Sequence, residues 1–200
     1  MSEVTPTRSA VIEMKDERRA MHEGYVFLDE KCLLLAGEIL RELEHHEVLQ
    51  RALRDAYELA LGALQAAVAR HGLEGLQVYP AEPADAALLE RTPRTLMGVR
   101  LQDASLTLPA AAGRVPLARS PEAQACRSAF AEVLRRAAGL AAVAGNLERL
   151  SLEYRRAVRR ARALQDVLLP ELDRTVYDIE TRLEELEQED AVWMRQGAGL

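Results

Sequence analysis

The sequence predicts an all-α, elongated fold: a long antiparallel two-helix coiled coil from the N- and C-terminal segments, with a small irregular or β-hairpin middle segment. Three observations predict it. Apolar residues recur every three or four positions through both terminal segments, the spacing of one helix face. After Pro6, no proline interrupts the first segment until Pro80. The chain is 48% hydrophobic and 29% charged but only 4% aromatic, so its apolar content suits long helices with a thin seam better than a thick core. At ~1.5 Å per residue the two helices reach about 100 and 110 Å. A compact chain of this length has a radius of gyration of about 16 Å. Helices that long do not fit such a globule, and a rod is expected.

Residues 1–71 form the first expected segment. Thr5 stands as N-cap with Pro6 at the first helical position, where a missing N–H is harmless. The helix then runs from about Thr7 to His71, and Gly72 stops it. Its apolar face reads Leu28, Cys32, Leu35, Ile39 and Leu43, then Leu49, Leu53, Tyr57, Ala60, Leu64 and Val68. These steps lie nearer an eleven-residue repeat than a strict heptad, so little left-handed supercoil is expected.

Residues 72–120 change character. They hold most of the prolines and short strand-like runs at LQVYP, TLMGVRL and ASLTL. LMGVRLQDASLTL alternates apolar residues around a polar stretch from Gln102 to Ala104, a hairpin pattern with its turn there. One isolated hairpin is marginal in water, so it is expected to pack on the helices or on a partner.

Residues 121–200 form the returning helix. Ser120 caps it, Pro121 fills its first turn, and Glu122 lies near the positive end of the dipole. Its face runs Phe130, Val133, Ala137, Leu140, Ala144, Leu147, Ser151, Tyr154, Val158 and Ala161, closer to a heptad. The spacing continues through Leu164, Leu168, Leu172, Val176, Ile179, Leu183 and Leu186, straight across Pro170. A proline inside a helix lacks the donor, and its ring meets the carbonyl four residues back, here Asp166, at roughly 3 kcal/mol. A bend at Pro170 with an unbroken seam is the expectation.

Charge sets the register of the pair. If the chain turns back across the middle segment, partners lie opposite when their numbers sum to roughly 192. The arginine cluster Arg155, Arg156, Arg159, Arg160 and Arg162 then faces Asp29, Glu30 and Glu38. Asp173 and Asp178 face Arg8, Lys15, Arg18 and Arg19. Exposed pairs of this kind are each worth under ~1 kcal/mol, so they set register more than stability. The same register keeps Cys32 and Cys126 too far apart for a disulfide.

The composition excludes several functions. No stretch approaches the ~20 uninterrupted apolar residues of a membrane span, and the N-terminus has no apolar signal core, so a cytoplasmic protein without direct membrane insertion is expected. A net charge of -6 argues against nucleic acid as the main partner. Neither lysine, Lys15 or Lys31, follows a glycine, so no P-loop can be written. Glu42 and His45 have the i, i+3 spacing of helical di-iron sites, but such sites need two of these motifs and two further glutamates. No catalytic, cofactor-binding or metal residue is expected, and the arginine cluster reads as an inter-helix or inter-subunit face.

The opening PTRSAVIEMKDERRAMHEGYVFLDEKCLLL resembles the start of the D subunit of the V-type and archaeal-type rotary ATPases, in its Pro-Thr-Arg, Lys15, Gly24, Leu28 and Lys31. TLMGVRL, with Met97, Gly98 and Val99, resembles the family's central Met-Gly-Val stretch. RRARALQDVLLPELDRTVYDIETRLEELEQED resembles its C-terminal helix. PAAAGRVPLARSP carries no motif of the family. The resemblance implies a non-catalytic central rotor shaft whose terminal helices enter the cavity of the catalytic A and B subunits. It also implies that the middle region faces the membrane end, the docking place of the rotor's F subunit and of a membrane-end central-stalk protein. ATP would be hydrolysed or made elsewhere and coupled to H⁺ or Na⁺ transport, with the chain peripheral to the inner membrane on the cytoplasmic side. On this reading the shaft surface is carried by Arg8, Lys15, Arg18, Arg19, the five arginines from Arg155 to Arg162, Pro170 and Glu184, and the middle contact by Met97, Gly98 and Val99. The other reading is a static coiled-coil scaffold or chaperone-like tentacle.

Overall fold

A computed structural model describes residues 7–79, 87–108 and 119–197. Helix α1 spans Arg8–Leu76, strands β1 and β2 span Leu88–Leu96 and Val99–Thr107, and α2 spans Pro121–Ala163. A π-helical turn, Leu164–Leu168, follows without a break, and α3 runs Leu169–Gly197. Among the described residues the chain is therefore all-α apart from one antiparallel hairpin, as the periodicity required. Thr5 and Pro6 lie outside the described residues. Thr7 is the cap that is seen, its Oγ1 accepting the Ala10 N–H at 3.2 Å, the role a hydroxyl plays at an N-terminus. Helical geometry is interrupted at Gly72, whose φ of 71° lies in the left-handed region that glycine enters without steric cost.

The chain divides into two compact units, each drawing on both long helical segments: Met1–Leu34 with Tyr154–Leu200, and Leu35–Glu153. In the first, buried Ala157, Ala161, Val176 and Ile179 form the seam together with Val11. Arg8–Glu187 at 2.6 Å, Lys15–Glu180 at 2.5 Å and Arg18–Asp173 run antiparallel along it, close to the expected register. In the second, buried Leu35, Ala56, Ala60, Ala67, Ala142, Val143 and Leu150 carry the seam. Its register is fixed by Arg70–Glu122 at 2.5 Å and by His71 Nε2 to Ser120 Oγ at 2.7 Å. Ser120 caps α2 as expected, accepting the Ala123 N–H at 3.2 Å. Its hydroxyl proton goes to Glu122 at 3.1 Å, so His71 Nε2 is the donor in their shared bond.

Several sequence expectations change. Leu43 and Tyr57 are 43% and 49% exposed, while Glu42 and Ala56 take the buried positions beside them; a period read by hydrophobicity alone is one residue out at both places. LQVYP is no strand where it is described, since α1 ends at Leu76 and a turn follows. The hairpin turns at Met97 and Gly98, not at Gln102 to Ala104, which lie inside β2. Both turn residues have positive φ, 47° and 83°, as a two-residue type I′ loop demands, and Gly98 supplies the second at no steric cost.

The largest change is at Pro170. Leu169 donates its N–H to the Leu164 carbonyl, five residues back, and both flanking residues keep ordinary helical angles. The turn just before the proline is thus one residue wider than an α-turn. The expected collision with the Asp166 carbonyl belongs to the four-residue register, which this turn does not use. The seam steps from Leu164 to half-buried Leu169, then to half-buried Leu172 and buried Val176, and Leu168 is turned outward at 38% exposure. Five steps and then three replace four and four, so the apolar phase survives. Gly24 on α1 faces this turn: a Cβ there would lie 3.9 Å from Leu164 Cδ1.

Candidate functional site

Chemistry-bearing residues gather at the mount of the hairpin in the second unit. From the turn, pairs with ladder hydrogen bonds alternate with pairs whose peptide groups point outward. Pro93 pairs with Gln102 in an outward-pointing pair. The missing N–H of Pro93 therefore faces the open edge of β1, a position where proline costs no ladder bond. The outward peptide groups of Gln102 face α2. There Asn146, fully buried, accepts the Gln102 N–H at 2.9 Å through Oδ1 and donates Nδ2 to the Gln102 carbonyl at 3.0 Å. One side-chain amide does for this peptide what a third strand would do. Two turns earlier on the same helix, Gly139 faces the same strand, where an added Cβ would lie 3.9 Å from the Ala104 carbonyl oxygen, an ordinary contact distance.

The other strand is tied to α1. Arg94 reaches Glu38 Oε1 at 2.6 Å with Nη1, and Glu42 Oε1 with Nη2. Both carboxylates are buried, at 7% and 4% exposure, and Arg41 adds a second partner to Glu38 at 2.6 Å. Burial would push the Glu38 carboxyl up, but the hydrogen bonds and charges of Arg94 and Arg41 outweigh it and hold the group below its ordinary value of 4.5. A depressed carboxyl stabilises the fold above its unfolded pKa, and that contribution is lost as pH falls through the folded one. Acid titration followed by circular dichroism is therefore expected to show a loss of stability below pH 4.5 that Glu38→Gln reduces. An unchanged acid transition in that variant would count against this ion pair as its source.

Of the sequence-selected residues, Arg8, Lys15 and Arg18 make the inter-helix pairs given above. Arg19 does not; it bonds Asp16 of its own helix at 3.5 Å. Glu38 faces Arg94 and Arg41 rather than the arginine cluster. Arg155, Arg156, Arg159, Arg160 and Arg162 are all exposed. Among the described residues none of the five joins an ion pair, and their one hydrogen bond runs from Arg159 Nε to the Arg155 carbonyl at 3.3 Å. Buried Ala157 and Ala161 lie between them, so the arginines occupy the outward arc of α2. Glu184 is exposed and Pro170 half-buried. Met97 and Gly98 form the turn, and Val99 is 7% exposed, part of the hairpin's packed end. Cys32 and Cys126 are free thiols, each pushed up by burial. Glu42, bonded to Arg94, is not joined by His45 in any metal-holding group; among the described residues no cluster of three such ligands occurs. Nor, among those residues, is any helix long and apolar enough to cross a membrane.

Sequence reasoning missed Asn146 and Arg94. A lone Asn among the alanines of AAVAGNLERL was the available signal for the first.

The family of ATP synthase D subunits matches residues 10–196. The chain belongs to this family. It is 26% identical over 190 residues to the D subunit of the V-type ATP synthase of Thermotoga neapolitana, covering 94% of this chain and 93% of the relative. It is 31% identical over 202 residues to that of Anaeromyxobacter dehalogenans, covering 98% and 96%. To the D subunit of the A-type ATP synthase of Pyrococcus furiosus it is 27% identical over 191 residues, covering 94% and 89%. The D-subunit resemblance drawn from the opening, central and closing motifs is thus extended to nearly the whole chain.

Proposed function

We propose that this D subunit is the non-catalytic central shaft of a V/A-type ATPase. It transmits torque between the catalytic A and B subunits and the membrane ion-translocating ring, coupling ATP hydrolysis or synthesis to H⁺ or Na⁺ transport. The rotor's F subunit and a membrane-end central-stalk protein are its other partners. The chain would sit on the cytoplasmic side, peripheral to the inner membrane and reaching it only through that complex. The observation that carries the reading is the pairing of long helices in antiparallel register within each unit, zipped by ion pairs and small seam residues. Torque needs a stiff two-stranded element and not a reactive site. An axle that is not round biases identical catalytic sites around it differently, which is the condition for coupling.

Co-purification tests it. The tagged chain is expected to bring down the F subunit and the A/B pair, and to bind no ATP when isolated. Recovery of the chain alone from cells that make the complex would favour the scaffold or tentacle reading, and ATP binding by the isolated chain would contradict a shaft without a nucleotide site.

Among the described residues the five arginines of this arc join no ion pair, and a surrounding protein of the complex is the partner the arc fits. Replacing all five arginines with glutamine is expected to weaken assembly most at low salt. At physiological ionic strength exposed charge is already screened over ~8 Å, and more so above it, so parent and variant should converge as salt rises. Equal assembly at every salt concentration would reduce the arc to a solvated face.

A further inference from the structure

Among the described residues, the buried side-chain polar atoms without a hydrogen-bond partner are Glu42 Oε2 and Arg149 Nε. They belong to the two helices of one unit, and in the register set by Arg70–Glu122 and His71–Ser120 these two residues stand across from each other. Both are also linked to the hairpin. Glu42 Oε1 holds Arg94. Arg149 Nη2 donates at 2.8 Å to Asn146 Oδ1, the oxygen that also takes the Gln102 N–H.

The consequence appears when the hairpin lifts off. Arg94 leaves two buried carboxylates behind. Glu38 keeps Arg41, but among the described residues Glu42 has no other partner, and a buried charge stripped of its counter-ion is strongly unfavourable. The same departure frees Asn146 from Gln102, and a bare carboxylate outcompetes the neutral amide oxygen of Asn146 for the Arg149 guanidinium. We infer that Arg149 is a stand-by counter-ion: it takes over the Glu42 carboxylate when Arg94 withdraws, so that the hairpin is a strap that can undock without leaving a bare charge in the seam. The undocked hairpin would expose Val99 and Leu101, now 7% and 1% accessible, to whatever partner draws it off.

Hydrogen exchange at the Gln102 amide reads this directly, because that N–H is held by Asn146 and exchanges when the strap lifts. In the full chain, Arg149→Gln removes the replacement charge from the open state and is expected to slow Gln102 exchange about tenfold, while Arg149→Lys stays near the parent. If Arg149 merely buttresses Asn146 in the docked state, Arg149→Gln will leave exchange unchanged or make it faster, and the inference falls. Arg149→Met, which keeps the apolar stem, repeats the test should the glutamine variant fold poorly. Loss of the fold in both would also overturn it, since the docked state does not need a stand-by charge.

Discussion

Asn146→Leu is expected to free the hairpin from α2 and to lower the unfolding free energy by roughly 2–4 kcal/mol, because two peptide groups lose their partners at once. Gln102 donates to and accepts from this one amide, and leucine is close to asparagine in size but offers neither atom. Its β1 neighbour cannot take over, since Pro93 has no N–H and the pair points its peptide groups outward. Urea denaturation gives the energy, and exchange at Gln102 gives the location: its protection should collapse while the cap of α2, held by Ser120, stays intact. A change under about 0.5 kcal/mol would mean that water replaces the amide at this half-buried peptide and that the mount is not built on Asn146.

The balance of what the sequence disclosed follows from the range of each interaction. The long helices were legible because their signal is local and repeated: apolar spacing, Ser120 before Pro121, Gly72 at the break. The register of the first unit was legible too, since opposite charges at Arg8, Lys15 and Arg18 meet Glu187, Glu180 and Asp173 across a thin seam. The hairpin was found but mis-turned. Polar Gln102 to Ala104 look like a loop when alternation alone is scored, and Met97, at a φ of 47°, is a poor type I′ residue by propensity. The mount was not legible at all. Arg94 and Glu42 lie 52 residues apart in the chain and Gln102 and Asn146 lie 44 apart, and no local pattern links them. The burial of Glu38 and Glu42, which reads as a solvated helix face, exists only because Arg94 arrives from elsewhere.

The π-turn has the same character, and it sets the terms for the last variant. Pro170→Ala restores a donor at position 170, which in a plain α-helix favours the helix by up to ~3 kcal/mol. Here the gain is expected to be smaller, about 1 kcal/mol, because the wide turn already removes the clash. Closing that turn to an α-register would swing Leu168 into the seam and Leu169 out, and would rotate α3 against the pairs Lys15–Glu180 and Arg18–Asp173. It would also uncover Val176 and Ile179, now 8% and 5% exposed, at ~1.5–3 kcal/mol for each if fully exposed. At rest the seam should therefore keep the turn wide, and in a Cys32→Ser, Cys126→Ser background Leu168→Cys should react with a thiol reagent faster than Leu169→Cys, with or without the proline. What the proline adds is a stop: the turn cannot migrate toward α3, since its next register would need the N–H that residue 170 lacks. Without the stop a load along the helix can move the turn, so in the assembled complex Pro170→Ala is expected to keep ATP hydrolysis and lose ion transport per ATP. A variant that is more stable and as well coupled as the parent would make the wide turn a tolerated accommodation of one proline and nothing more.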